Sequence, residues 1–244
     1  MTQNNTDDRV LQAVFWDMDG TLIDSEPIWH ESEVRLARMY GGHWTKKMAE
    51  EHSGIPVPVI AREMVEEGVG LTAEQIEDMM FTYVEETEAA HMPWIPGATR
   101  VLTELRDAGV PCVLVTTSPR DFAEKLMAQA PAGAFVDCVS GDDDVAKKPD
   151  PAPYILAAKK LGIDSGDLSR CIAFEDSRVG VASAAASGAI TIAQTICMPD
   201  GPRRGPQNSD VHGYDDVTAD SLERLAANFA QGLAQPDPFV AAQA

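Results

Sequence analysis

Asp17 and Asp19 stand two residues apart at the end of a short apolar run, in the stretch "VFWDMDGTLIDSEP", and Gly20 and Thr21 follow them. In an extended segment side chains alternate, so both carboxylates project on one side and Met18 on the other. Like charges that close repel unless a cation lies between them or one of them holds a proton. The spacing therefore points to a divalent metal or to an acid/base pair. Three further polar clusters could join them: "VTTSPR" with Thr116 and Thr117, "VAKKPDPAPY" with Lys147 and Lys148, and "FEDS" with Glu175 and Asp176. Hard carboxylate oxygens suit Mg2+, while lysine, hydroxyl and backbone N–H donors suit phosphoryl oxygens.

The elements that must position these residues read as an α/β fold. Apolar runs typical of buried parallel strands occupy 10–16, 111–116, 134–139, 171–174 and 189–193, and helical patterns over 97–108, 119–130, 151–161 and 177–187 separate most of them. Such alternation predicts a Rossmann-like parallel sheet with right-handed crossovers, whose ligand site lies beyond the carboxyl ends of the strands. Each polar cluster above follows or adjoins such an end. The interval 24–94 breaks the rhythm, with helical patterns at 26–40, 57–67 and 72–90 and no strand-like run. It reads as an all-helical subdomain inserted after the first strand, so that residues 1–23 and 95–244 form the core. The Pro/Gly-rich stretch 198–213 reads as a loop, 218–229 as a last helix, and the chain after Gln235 as a frayed tail.

Composition narrows the class. A chain of 244 residues with 44% hydrophobic and 24% charged residues suits a folded globular protein with a substantial core. A formal net charge of −20 argues against nucleic acid and anionic membrane as partners, yet leaves room for a small phosphorylated metabolite held by a metal and one or two local cations. The four cysteines show no CxxC spacing and the N-terminus is unlike a signal peptide, which together imply reduced thiols and a cytoplasmic location; a monomer is the expectation for the assembly. The five histidines lack metal-ligand spacing.

"DMDGTL", "VTTS", "KKPDP" and "FEDS", in this order and each beside its strand, resemble the haloacid dehalogenase superfamily, and within it the capped phosphatases and phosphomutases. The resemblance implies that Asp17 is the nucleophile, forming an aspartyl-phosphate, and that Asp19 protonates the leaving oxygen and then activates water, its backbone carbonyl also touching the metal. It implies that Thr116, the Thr117 N–H and the Gly20 turn hold the phosphoryl group, that Lys148 neutralises charge there, and that Asp17, Asp19, Asp176 and Glu175 form the Mg2+ site. Relatives often carry Gly before the lysine of the third motif; here that place is Lys147, and Lys148 is favoured because it directly precedes Pro149.

Blander readings exist for each cluster: a solvated turn at Asp17–Gly20, a helix cap at Thr116 and Thr117, surface charge at Lys147 and Lys148, and an acidic helix start at Glu175-Asp176. An EF-hand loop does not fit, because its glycine belongs at the sixth position and Gly20 is at the fourth when Asp17 is counted as the first. Similar phosphosugar mutases hold a second phosphate with a basic cap residue shortly after a glycine; here Val57 stands three residues after Gly54. Residues 24–95 carry fifteen Asp/Glu against five Lys/Arg, a net −10. The expectation is therefore a hydrolase acting on a sugar or polyol phosphate, with a β-phosphoglucomutase-like mutase and a non-catalytic phosphometabolite binder as alternatives.

Overall fold

The computed structural model describes residues 9–53, 55–198 and 205–233. Strand β1 (Ala13–Trp16) is followed by helices α1 (Glu26–Tyr40), α2 (Lys46–Glu51), α3 (Val57–Glu66) and α4 (Ala73–Ala90). Then come α5 (Ala98–Asp107), β2 (Cys112–Val115), α6 (Arg120–Gln129), β3 (Phe135–Val139) and α7 (Ala152–Lys160). A 3-10 turn (Ser165–Arg170) leads to β4 (Cys171–Glu175), α8 (Arg178–Ser187), β5 (Ile190–Gln194), β6 (Ser209–Val211) and α9 (Ala219–Ala230). Among the described residues no helix is long and apolar enough to cross a membrane.

The six strands form one parallel sheet in the order β3-β2-β1-β4-β5-β6. Strands β1, β2, β4 and β5 are buried throughout, as expected for a parallel sheet covered on both faces, which is why they read as continuous apolar runs. Alternation in β1 sends Phe15 into a cluster with Val113, Ala173 and Tyr154, while the ring of the neighbouring Trp16 stacks on Phe174 with centroids 4.3 Å apart. Trp16 is level with Leu114 and Phe174, so the chain leaves β1, β2 and β4 side by side at one edge.

Two elements depart from the sequence reading. Strand β6 lies within the stretch read as loop and pairs with β5 through Ile192↔Ser209 and Gln194↔Val211. Three residues with a central aspartate carry no alternation long enough to register, and the edge position demands none. Helix α2 was likewise silent, because "KKMAEE" buries only Ala49. The rest of the loop reading (199–204), the frayed tail and the polar start of the chain lie outside the described residues.

The residues from Asp24 to Pro93 form a compact unit of their own, separate from the sheet-bearing unit that runs to Ile23 and resumes at Trp94. Trp94 bridges Ile23 within the sheet-bearing unit. The helical unit has its own core, built on Leu36, Trp44, Ile60, Met64, Ile76 and Met80. Thr72 and Gln75 close a capping box at the start of α4, and Thr45 caps α2. Gly54, the reference point for the mutase comparison, lies outside the described residues.

Glu33 is buried in this unit and accepts a 2.7 Å hydrogen bond from Trp44 Nε1. Burial pushes its carboxyl up to about 7, against the Trp44 hydrogen bond and the nearby His52, which favour the anion. A carboxyl whose pKa is raised by folding binds its proton more tightly in the native state, so native stability falls as pH rises from the ordinary carboxylate range through 7. Glu33→Gln should therefore raise the melting temperature at pH 8 by about 3–6 °C and leave it nearly unchanged at pH 5. An equal shift at both pH values would exclude this origin.

Candidate active site

The turn after β1 is built by its hydrogen bonds. Leu22 N–H donates to the Met18 carbonyl at 2.8 Å and Gly20 N–H to the Ile23 carbonyl at 2.8 Å. Gly20 sits at φ +76°, and a Cβ there would collide with the Asp176 carboxylate. Glycine is thus required twice over, by backbone conformation and by the approach of Asp176. Thr21 Oγ1 donates to Asp176 Oδ1 at 3.2 Å, and Tyr214 Oη donates to the Thr21 carbonyl at 2.6 Å. The turn and the start of α8 are tied by these contacts.

Lys148 enters the same place from the loop before α7. Its ammonium donates to Asp17 Oδ1 at 2.6 Å and to the Val115 carbonyl at 2.8 Å, and lies 2.6 Å from Glu175 Oε1. Its side chain is 3% exposed and that of Glu175 is 0%, so the pair is shielded from water. Burial alone would push the lysine pKa down; the Asp17 and Glu175 carboxylates more than offset this and hold it above its ordinary value. Lys147 points elsewhere, donating to the carbonyls of Gly141 at 2.7 Å and Asp143 at 2.6 Å and so bracing the loop before Lys148.

Asp17, Glu175 and Asp176 each bring a carboxylate oxygen within 4.8 Å of the others. Burial pushes the Asp176 carboxyl well up, and the charges of Asp17 and Glu175 push in the same direction. Glu175 is raised by burial and by Asp17, against the hydrogen bonds of Lys148 and Tyr154. Three carboxylates facing one ammonium leave a local excess of negative charge. Oε2 of Glu175 is buried without a hydrogen-bond partner among the described residues. All-oxygen donors with surplus charge fit a hard divalent cation such as Mg2+.

The turn after β2 supplies the opposite chemistry. Thr116 is buried and its Oγ1 accepts the Ser118 N–H at 3.0 Å, while the Thr117 side chain is exposed. Ser118 Oγ donates to Asp19 Oδ2 at 2.8 Å, so the Asp19 carboxylate is held toward β2 and stands outside the trio above. The Thr117 carbonyl packs so closely on Gly141 that a Cβ there would collide with it.

Sequence reasoning passed over Ser118, Tyr154 and Gly180. The Tyr154 hydroxyl donates to Glu175 Oε1, and a Cβ on Gly180 would strike Glu175 Oε2. Ser118 and Tyr154 lie inside the two motif stretches already singled out, and that proximity was the available signal.

A cavity of about 490 Å³ lined by Arg9, Gln12, Pro111 and Arg170 opens at the other edge of the sheet, where the chain enters β1, β2 and β4. Parallel sheets collect chemistry at the strands' carboxyl ends, so its size does not make it the active site.

A profile of the haloacid dehalogenase-like hydrolases matches residues 11–188. The chain is 28% identical over 187 residues to validoxylamine A 7'-phosphate phosphatase of Streptomyces hygroscopicus subsp. limoneus, covering 76% of this chain and 86% of that protein. It is 27% identical to hexitol phosphatase A of Escherichia coli, covering 85% and 93%. A hydrolase structure from Entamoeba histolytica superposes with a TM-score of 0.74 at 21% identity, over 89% of this chain and 100% of that one, a likeness of fold.

Proposed function

The chain belongs to the haloacid dehalogenase-like hydrolases, and from that premise we propose that it is a Mg2+-dependent phosphatase of a small sugar or polyol phosphate. The observation that carries this reading is Lys148, fixed at 2.6 Å from both Asp17 and Glu175 at the mouth of the strands. A carboxylate attacks an anionic phosphate poorly unless repulsion is offset, and the ammonium beside Asp17 supplies part of that offset. Asp17, Asp176 and Glu175 would hold Mg2+, which when bound supplies the remaining positive charge.

In this reading Asp17 attacks phosphorus and the P–O bond to the leaving group breaks, giving an aspartyl-phosphate. Asp19, held by Ser118, delivers its proton to the departing oxygen and then takes one from the water that cleaves the intermediate. Thr116, the Thr117 N–H and the Gly20 turn receive the phosphoryl oxygens. The helical unit Asp24–Pro93 acts as the cap.

Relatives named as a validoxylamine A 7'-phosphate phosphatase and a hexitol phosphatase support a sugar- or polyol-phosphate substrate. The net −10 over residues 24–95 and the apolar Val57 support transfer to water over mutase chemistry, because a second phosphate dianion would find little compensation. Phosphate release from a panel of sugar and hexitol phosphates tests the reading. EDTA is expected to stop it and added Mg2+ to restore it. With glucose 1-phosphate and a trace of the bisphosphate, free phosphate should accumulate; faster accumulation of glucose 6-phosphate would make the protein a mutase. Binding of phosphorylated sugars with no release under any of these conditions would make it a non-catalytic binder.

A further inference from the structure

Tyr154 is the third residue of α7, fully buried, and its ring packs on Phe15 at 6.2 Å between centroids. Its hydroxyl donates to Glu175 Oε1, the same oxygen that lies 2.6 Å from Lys148 Nζ. Its ring presents a face to that ammonium, with Nζ 5.4 Å from the centroid. One side chain therefore grips both members of a buried ion pair.

The need for such a grip follows from the partners in place. An ammonium has three N–H donors, and the three short contacts of Lys148, to Asp17, Val115 and Glu175, account for all of them. Directing the ammonium thus depends on where Glu175 Oε1 stands. Oε2 offers no second anchor, having no hydrogen-bond partner among the described residues, and it lies against the bare Cα of Gly180. The Glu175 carboxylate is held from one side by the tyrosine hydroxyl and given room on the other by a missing side chain.

We propose that Tyr154 is a positioning residue for the reaction: its hydroxyl and ring fix Glu175 and Lys148 together, so that the lysine faces Asp17 and the carboxylate trio keeps the spacing a divalent cation needs. The proposal rests on the phosphatase reading above for its kinetic consequence, but not for its binding consequence. Tyr154→Phe removes only the hydroxyl and keeps the ring. Gly180→Ala reaches the same carboxylate from the opposite side, so it serves as an independent second variant.

The experiment measures the Mg2+ dissociation constant of each folded protein by titration calorimetry, and kcat and KM on a hexitol phosphate. Loss of a group that orients a metal ligand typically changes affinity or activity by ~10–100-fold. Tyr154→Phe is expected to weaken Mg2+ binding by about tenfold and lower kcat by about 10–100-fold, with KM changed by less than about threefold, because binding of the substrate body is untouched. Gly180→Ala should show the same pattern. Wild-type Mg2+ affinity and kcat in Tyr154→Phe would overturn the proposal. A change in Tyr154→Phe with none in Gly180→Ala would also overturn it, since displacing Glu175 would then be harmless. Failure of the phosphatase reading looks different: the wild type would release no phosphate, while the Mg2+ comparison would still decide the role of Tyr154.

Discussion

Asp17→Asn is expected to remove turnover while leaving the protein folded. Asparagine matches the shape of aspartate and keeps an oxygen for the Lys148 ammonium, which now sits 2.6 Å from Asp17 Oδ1. It cannot form an acyl phosphate, so phosphate release should fall by at least ~10⁴-fold, the scale seen when a covalent nucleophile is lost. Stability should move little, or slightly upward. The Asp17 charge raises the Asp176 and Glu175 carboxyls, and carboxyls raised by folding lose native stability as pH climbs through their shifted values. Neutralising residue 17 relaxes that repulsion, which works against the lost attraction to Lys148. The checks are phosphate release, a thermal melt, and intact mass spectrometry after brief exposure to substrate. A folded Asp17→Asn protein with near wild-type turnover would rule out the covalent route.

Lys148→Met should damage both catalysis and the fold. Methionine approximates the length of the lysine stem but leaves Asp17 and Glu175 facing each other without a counter-ion. Removing one partner of a buried ion pair destabilises by about 3–5 kcal/mol, and loss of a positioned cation beside a developing charge costs about 10²–10³-fold in kcat. The pH dependence has a definite sign. In the native protein the neighbouring carboxylates hold the lysine pKa up, so its stabilisation is complete across the neutral range and is lost only in strongly alkaline solution. In the variant the exposed deficit is carboxylate repulsion, which protonation relieves. Urea unfolding should therefore show a larger loss at pH 8 than at pH 5. Equal losses at both pH values would mean that the defect is one of packing and not of charge.

Much of the site was legible because its parts are adjacent in sequence to strand ends. Asp17 follows an apolar run directly, Thr116 ends one and Asp176 comes two residues after another, and a parallel sheet brings such positions to one edge whatever the order of the strands. Lys148 was legible through Pro149, and Lys147 was distinguishable only once its ammonium was seen on the carbonyls of Gly141 and Asp143. Tyr154 and Gly180 were not legible. Each looks like an ordinary helix residue, and its role exists only because α7 and α8 converge on Glu175 from different parts of the chain. Ser118 stood in plain view as a turn residue, but its bond to Asp19 spans 99 residues of sequence. Strand β6 and helix α2 were missed for a different reason, since three and six residues are too few to display a period.

Tyr214 has a consequence for the order in which a ribosome makes this protein. Its hydroxyl holds the Thr21 carbonyl across 193 residues of sequence, and Gly213 beside it is held by Gln194 Oε1 at 2.8 Å. At ~5–20 residues per second, Thr21 leaves the peptidyl-transferase centre roughly 10–40 s before Tyr214 is added. Only over the last 38 residues of that interval, roughly 2–8 s, does the nascent chain contain every motif residue, Asp17 through Asp176, while it still lacks the tether on the turn that seats Thr21 against Asp176. The growing polypeptide is thus expected to stay catalytically silent until Tyr214 has been added, and a chain cut short before that residue would have its chemistry written out but not assembled.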